Sequence, residues 1–211
     1  MSIAEKLTAI AENEQKVFDA GKKAEYDRFW DSFQNNGNRL NYNSAFSLGT
    51  VWSQGGWDDN IYNPKYPITV TGQNNLSNTF YYAEKISDTK VEISVGQLGN
   101  GAQTGNMVST FHGAKGLVTI RKLTVDETVV FSGTFFGCSS LENLTMAGTI
   151  GQNGFNVSES TKLTHDSLMS ILNCLEAKTS GTWTVTLGTE NLAKLTDAEK
   201  AIATEKGWTL A

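Results

Sequence analysis

Residues 133–151 read GTFFGCSSLENLTMAGTIG, and the spacing of the apolar side chains in this stretch decides the fold. A second stretch, STFHGAKGLVTIRKL at residues 109–123, has apolar side chains in the same order. The interval from Phe111 to Phe135 equals the interval from Leu117 to Leu141, a difference of 24 in residue number in both cases. A constant period in the twenties predicts a stack of similar turns rather than a fold without internal repetition.

The apolar spacing also predicts how one turn is built. Leu144 and Met146 alternate as residues of a strand do, so their side chains lie on one face. Phe135 lies across the turn from that strand and fills the interior. Because one turn cannot bury its apolar edge alone, neighbouring turns must stack, and each buried Phe or Leu contributes about 1.5–3 kcal/mol. The alternative is an ordinary β-sandwich in which two segments match by chance.

The sequence FFGCSSLENLTM, residues 135–146, resembles the BspA-type leucine-rich repeat, in which a Phe, a Gly-Cys-Ser-Ser turn and a Leu/Ile ladder recur. The resemblance implies a right-handed β-solenoid, and it covers residues 107–151 well and residues 44–95 weakly. The run NLAKLTDAEKAIATEKGWTLA, residues 191–211, is similar to the final segment of such proteins from gut bacteria and their prophages. Members of the family are mostly surface or adhesive proteins, and some are associated with phage tails.

The fold class predicted from these observations is α+β with repeats. It comprises a BspA-type leucine-rich-repeat β-solenoid, an N-terminal helical stalk and a C-terminal α/β cap. We expect the stalk at residues 1–37, the solenoid at residues 38–160 and a helix-strand-helix-strand cap at residues 161–211.

The N-terminal stretch predicts a helix from residue 3 to about residue 33, because Ser2 and Glu5 form a capping box. Its core positions at heptad spacing predict a self-association seam, formed by Ile3, Leu7, Ile10 and Val17. By analogy with fibre proteins that have helical stalks, we expect a homotrimer. The alternative is an amphipathic helix that packs on its own domain.

Residues 38–106 depart from the regular period. Phe46 and Phe80 fit the position of the repeat phenylalanine, but the steps from Phe46 to Phe80 and from Phe80 to Phe111 are longer, so we expect insertions at residues 47–66 and 96–106. Insertions are free to carry function. The first insertion supplies aromatic rings and amides for a glycan or another polar cell-surface polymer, and these candidate ligand-binding residues are Trp52, Trp57, Tyr62, Tyr66, Asn60 and Asn63. The alternative is that the rings are core residues of irregular turns.

The C-terminal stretch predicts a helix that begins after Thr164 and runs to about residue 177. A strand at residues 183–187 and a second helix with a capping box from Thr196 to Glu199 follow. Residues 208–210 form the last strand, parallel to the first because a strand-helix-strand crossover is right-handed. We expect this cap to continue the parallel sheet of the repeats and to cover its open edge.

Composition restricts the partners. Net charge is −5, pI is about 5.1 and only 18% of residues are charged, which argues against nucleic acid as a partner. No apolar run reaches membrane-spanning length, and the first residues carry no signal-peptide pattern. Cys138 and Cys174 are the only cysteines, and we expect both to be buried free thiols in a protein that folds in a reducing compartment.

No pattern of catalytic or metal-binding residues is found, and we expect no enzyme, no cofactor and no metal. His165, Asp166 and Ser167 have the residue types of a catalytic triad, but adjacent positions at a helix start point in different directions. His112 is the only other histidine, and it takes the repeat position of Phe136, a surface or half-buried site.

The function expected from the resemblance is that of a non-catalytic virion protein, a tail or fibre component that attaches to a host. It would assemble in the bacterial cytoplasm, with other virion proteins and a cell-surface glycan as further partners. The first alternative is a bacterial adhesion or protein-interaction module at the cell surface, and a glycan-acting enzyme is the second.

Overall fold

The architecture was derived from a computed structural model. The structure describes residues 6–14, 16–17, 20–21, 76–78, 80–82, 88, 92–95 and 105–211. The chain divides into two compact units, Met1–Gly37 and Asn38–Ala211. The sequence-based boundary between solenoid and cap falls inside the second unit.

In the first unit, the described residues 6–14, 16–17 and 20–21 are helical, and every one of them is exposed. The predicted seam therefore has no partner among the described residues of this unit. Leu7, Ile10 and Val17 are 61%, 54% and 73% exposed. The remainder of the predicted helix, with Ile3, lies outside the described residues.

Three parallel strands form the sheet of the second unit: β1 (Glu92–Val95), β2 (Thr119–Val125) and β3 (Asn143–Gly148), in that order. Ile120 pairs with Leu144, which is the regular step of the repeats, whereas Glu92 pairs with Lys122 across a longer step. The longer step confirms extra residues between β1 and β2.

Phenylalanines from successive turns form a buried column beside the sheet. Phe80 and Phe111 stack with ring centroids 5.2 Å apart, and Phe111 and Phe135 stack at 6.0 Å. Phe155 follows at 5.4 Å from Phe135 with a tilted ring. All four side chains are at most 4% exposed, which confirms Phe80, Phe111 and Phe135 as interior residues at equivalent positions.

Buried threonine hydroxyl groups connect successive turns through hydrogen bonds. The hydroxyl of Thr134, which is 1% exposed, lies 2.6 Å from the carbonyl oxygen of Phe131 and 2.7 Å from that of Met107 in the preceding turn. Thr110 occupies the equivalent position one turn earlier and contacts the carbonyl oxygens of Met107 and Leu76. Each turn thus satisfies a buried carbonyl of its neighbour, as buried polar groups require.

Helix α1 (His165–Cys174) covers the free edge of β3. The Ser167 hydroxyl accepts a hydrogen bond from the Leu144 amide at 2.9 Å, and the Ser170 hydroxyl lies 3.1 Å from the Met146 amide and 3.0 Å from the Leu144 carbonyl. Helix side chains thus take the backbone groups that a further strand would use. The helix begins after its Thr164 cap as predicted.

The predicted end of this helix near residue 177 is wrong. The helix ends at Cys174 because Leu175 adopts an extended conformation and pairs with Ile150. Ile150 donates its amide to Cys174, and the amide of Glu176 donates to Ile150.

The remaining elements are strand β4 (Trp183–Val185), helix α2 (Thr189–Leu192), helix α3 (Asp197–Glu205) and strand β5 (Trp208–Leu210). Both bonds of the predicted capping box are present at the start of α3, and β4 and β5 are parallel as predicted. The expectation that the cap continues the sheet of the repeats is wrong, because β4 and β5 form a separate two-stranded sheet. The serine hydroxyls of α1 already occupy the β3 edge.

Candidate functional site

Four side chains form an aromatic surface on the outside of the stacked turns, and we call Tyr81, Tyr82, His112 and Phe136 the outer aromatic row. The rings of Tyr81 and His112 are stacked 4.8 Å apart, and those of His112 and Phe136 are stacked 4.7 Å apart. Tyr82 lies edge-on to Tyr81 at 4.6 Å. Phe136 is 55% exposed and Tyr82 is 39% exposed, so the row is an aromatic surface open to solvent.

The turns hold the row in register through backbone hydrogen bonds. Phe111 donates its amide to Thr134 at 2.9 Å, and Gly113 donates to Phe136 at 2.7 Å. One turn earlier, Tyr82 donates to His112 at 2.7 Å. Tyr81, His112 and Phe136 each follow a phenylalanine whose ring points inward, and their own rings point outward. The row is therefore a consequence of the buried phenylalanine column.

The position after each stacked ring has a left-handed backbone. Gly113 and Gly137 have φ values of +72° and +75°, and Tyr82, at the equivalent position one turn earlier, has φ of 54°. A Cβ atom on Gly113 would lie 2.5 Å from the ring of Tyr82, so only glycine lets the two turns approach. A tyrosine held in this region costs about 1–3 kcal/mol.

The outer aromatic row itself contains no carboxylate, lysine or arginine side chain. Partial burial raises the pKa of Tyr81, and the neighbouring Tyr82 raises it further, so the phenol stays protonated. The carboxylate of Glu159 lies next to the row, where it accepts a hydrogen bond of 2.9 Å from the amide of Gly137. Flat apolar rings with polar tips can pack against the C–H faces of a sugar and hydrogen-bond its hydroxyls.

The predicted ligand-binding residues, Trp52, Trp57, Tyr62, Tyr66, Asn60 and Asn63, lie outside the described residues, and their role stays a prediction. Asn106, at the end of the second predicted insertion, is described. Its side chain accepts a hydrogen bond of 2.9 Å from the Val108 amide, and its backbone pairs with Val130. Asn106 thus stabilises a turn.

The three residues of triad type contact different partners. His165 Nε2 lies 2.8 Å from Glu199 Oε1, whereas Ser167 is 5% exposed and donates its hydroxyl to the carbonyl of Glu142. Asp166 is exposed at 3.8 Å from His165 Nδ1. His165 and Ser167 stabilise the cap: one joins α1 to α3, and the other joins α1 to β3.

Cys138 and Cys174 are buried free thiols, as predicted. Burial raises the pKa of Cys138 to about 12, and its Sγ lies 3.1 Å from the carbonyl oxygen of Phe111. Burial also raises the pKa of Cys174. Neither thiol has the low pKa of a nucleophile. The described stretches contain no cluster of three or more histidine, cysteine, aspartate or glutamate side chains suited to a metal ion.

The sequence carries a signal for the outer aromatic row that the regular period alone misses. The pattern is an aromatic residue directly after three of the repeat phenylalanines, in Phe80-Tyr81, Phe111-His112 and Phe135-Phe136. The expected equivalence of His112 and Phe136 is confirmed by their stacked rings. Tyr81 takes the same position one turn earlier, across the longer step from Phe80 to Phe111.

Comparison with known proteins gives no match: no family model, no curated protein and no solved structure is similar to the chain. In the part of the chain that the structure describes, no helix has the length and apolar composition needed to cross a bilayer.

Proposed function

We propose that the chain is a non-catalytic virion protein, a tail or fibre component whose BspA-type leucine-rich-repeat solenoid presents a surface for host attachment. The observation that carries this proposal is the outer aromatic row, an exposed stack of rings on regularly stacked turns. Surfaces of this kind are uncommon on proteins without a binding partner.

The repeat assignment is supported by pairing steps that recur along the second unit. Asn106 pairs with Val130 and Thr119 pairs with Asn143, and both pairs have the same step as Phe111 and Phe135. Trp183 pairs with Trp208 at a step longer by a single position. Parallel pairing at these steps supports the proposed solenoid, in which each turn stacks on the one before it.

The attachment role is supported by Tyr82. Glycine fills the same left-handed position in the next two turns, so the backbone of this turn does not need a tyrosine. A bulky residue kept at a strained position indicates a role for its side chain. The row contains no carboxylate, lysine or arginine side chain, which favours a neutral glycan of the cell surface as ligand and predicts binding that depends little on salt.

Self-association through the N-terminal helix is part of the proposal, with a homotrimer as the expected assembly. Leu7, Ile10 and Val17 are exposed, so their apolar side chains are not buried within the chain. Short helices without tertiary packing are marginal in water. Burial of Leu7, Ile10 and Val17 between copies would supply the missing stabilisation.

The buried free thiols support folding in a reducing compartment, such as the bacterial cytoplasm in which virions assemble. Immunogold labelling of purified phage particles with an antibody to the chain tests the proposed location. Labelled tails or fibres are the expected result. Unlabelled particles, together with labelled surfaces of uninfected cells, would contradict it and favour the bacterial adhesion module.

A further inference from the structure

The backbone hydrogen bonds that hold the outer aromatic row in register end at a side chain. Gly113 donates its amide to the carbonyl of Phe136 in the following turn at 2.7 Å. Gly137, at the equivalent position one turn later, donates its amide to Glu159 Oε2 at 2.9 Å. A carboxylate therefore takes the place that a backbone carbonyl has in the preceding turn.

The turn that carries Glu159 is shorter than the regular turns. The amides of Leu141 and Leu163 donate to the carbonyls of Cys138 and Ser160, respectively, so Cys138 and Ser160 are equivalent. These two residues are 22 positions apart, whereas the regular step of the repeats is 24. Residues 156–159 read NVSE, without an aromatic side chain. The shorter turn therefore adds no ring to the row.

Phe136 is consequently the last ring of the row, and one of its faces is uncovered. His112 lies between two rings, with Tyr81 at 4.8 Å and Phe136 at 4.7 Å. Among the described residues, Phe136 has a ring contact only with His112, and it is 55% exposed. The face of Phe136 toward the following turn is therefore open to solvent.

The uncovered face and the carboxylate lie on the same side of Phe136. His112 belongs to the preceding turn and covers one face, whereas Glu159 comes from the following turn. Because Glu159 Oε2 accepts from the amide of the residue directly after Phe136, the carboxylate lies beside the backbone that carries this ring. The described ion pairs do not include Glu159. A carboxylate can accept about four hydrogen bonds, so acceptor capacity remains for a ligand.

We propose that the uncovered face of Phe136 and the carboxylate of Glu159 form a subsite for one neutral sugar unit, an inference that rests on the proposed attachment function. A pyranose has a face of C–H groups close in size to a phenyl ring, surrounded by hydroxyl groups. The C–H face packs on Phe136. Neighbouring hydroxyls donate to Glu159, because an ionised carboxylate accepts hydrogen bonds and cannot donate them. Glu159 is then a residue that determines specificity.

The chemistry of these two groups favours a neutral sugar over charged ligands. An acidic sugar would bring its own negative charge next to Glu159, and like charges placed together weaken binding. A quaternary ammonium ion is recognised by a cage of aromatic rings, whereas a single ring face is open here. A neutral sugar matches both the open face and the acceptor at its side.

Two-dimensional NMR on the full-length chain tests the subsite, because the Gly137 amide reports on its hydrogen bond to Glu159. The probes are the methyl glycosides of glucose, galactose and mannose, and the corresponding uronic acids, which carry a carboxylate at carbon six. Glu159→Gln keeps an acceptor for the Gly137 amide and removes the charge. Glu127→Gln removes the same charge at an exposed position after β2 and is the matched control.

For the wild type and Glu127→Gln, we expect at least one neutral glycoside to shift the Gly137 amide with a Kd of about 1–10 mM. The corresponding uronic acid should bind at least about tenfold more weakly, because its charge is repelled. Glu159→Gln should bind the two probes about equally, since the repulsion is removed. Phe136→Ala should bind neither.

Equal affinity of the wild type for a glycoside and its uronic acid would overturn the role of Glu159. Shifts produced by tetramethylammonium and by no glycoside would also overturn the proposal, since the site would then bind a cation. If no glycoside binds but cell-surface polysaccharide does, the subsite is wrong and the outer aromatic row remains the attachment surface. If the polysaccharide does not bind either, the proposed function fails together with the subsite.

Discussion

Phe135 and Phe136 are adjacent in the chain, yet Phe135 is 1% exposed and Phe136 is 55% exposed. One ring continues the buried column, and the other continues the outer aromatic row. Interior packing and surface chemistry of a turn can therefore be changed separately by substitutions at neighbouring positions.

Phe135→Ala should lower the free energy of unfolding by about 3–5 kcal/mol, because it leaves a cavity in a stacked interior. Phe136→Ala should lower it by about 1 kcal/mol or less, since it removes only one stacked ring contact on the surface. Urea denaturation of both variants measures the difference. Equal losses at the two positions would show that the inward and outward assignments are wrong.

Ser167→Ala should destabilise the protein by about 1–3 kcal/mol, because the Leu144 amide then loses its acceptor in a buried environment. Exchange of the Leu144 amide should become faster in the same variant. Ser139→Ala is the matched control, since Ser139 is exposed in a turn. If the Leu144 amide exchanges at the wild-type rate in Ser167→Ala, the helix does not close the β3 edge.

Stability should fall in acid through Glu199. Its pKa is lowered, first by the backbone hydrogen bond at Thr196, then by the Thr196 and His165 side chains. A carboxylate with a depressed pKa in the folded state stabilises the fold above its unfolded pKa, about 4.3 for glutamate, and this contribution is lost as pH falls below that value.

Thermal unfolding of the wild type and of Glu199→Gln between about pH 7 and pH 3 measures this contribution. The glutamine variant keeps an acceptor for the Thr196 amide, so we expect it to fold and to lose less stability in acid than the wild type. Parallel curves for the two proteins would assign the acid sensitivity to other groups.

Ile10→Glu should lower the mass of the assembly, because it places a charge in the seam that contains Leu7 and Val17. Ala9→Glu adds the same charge at a neighbouring exposed position and should leave the mass unchanged. Light scattering on the full-length variants at micromolar concentration provides the comparison. A wild-type chain that is monomeric under these conditions would contradict self-association through the helix.

The regular part of the second unit was predictable because a repeated fold reuses the same buried positions. The constant step from Phe111 to Phe135 predicted their stacking, and the Thr196 capping box predicted where α3 begins. The constant step is a periodic signal and the capping box is a local one, so both can be recognised in the sequence. Helix α2, with four residues, is too short to produce a hydrophobic period.

The expectation that the cap covers the open edge of the repeat sheet is confirmed, but the way in which α1 covers β3 could not be predicted from the sequence. Ser167 and Ser170 read as polar residues on a helix, and only the three-dimensional stack brings their hydroxyls to the amides of Leu144 and Met146. The expected continuation of the repeat sheet into the cap was wrong because these hydroxyls occupy the free edge of β3. The outer aromatic row was missed because its members that follow the repeat phenylalanines, Tyr81, His112 and Phe136, are three different residue types and give no repeated residue at this position.

The most direct test of the outer aromatic row is its binding to bacterial cell-surface polysaccharide. Calorimetry or biolayer interferometry measures this binding for the wild type, Phe136→Ala and Tyr82→Gly. Tyr82→Gly places at this left-handed position the residue that the next two turns use, so we expect it to fold with unchanged or higher stability. We expect Tyr82→Gly to keep its melting temperature and Phe136→Ala to lose at most a few degrees. Both variants should lose binding at least about tenfold, close to the 1.4 kcal/mol of one aromatic contact. Wild-type affinity in both variants would contradict the assignment of the outer aromatic row as the attachment surface.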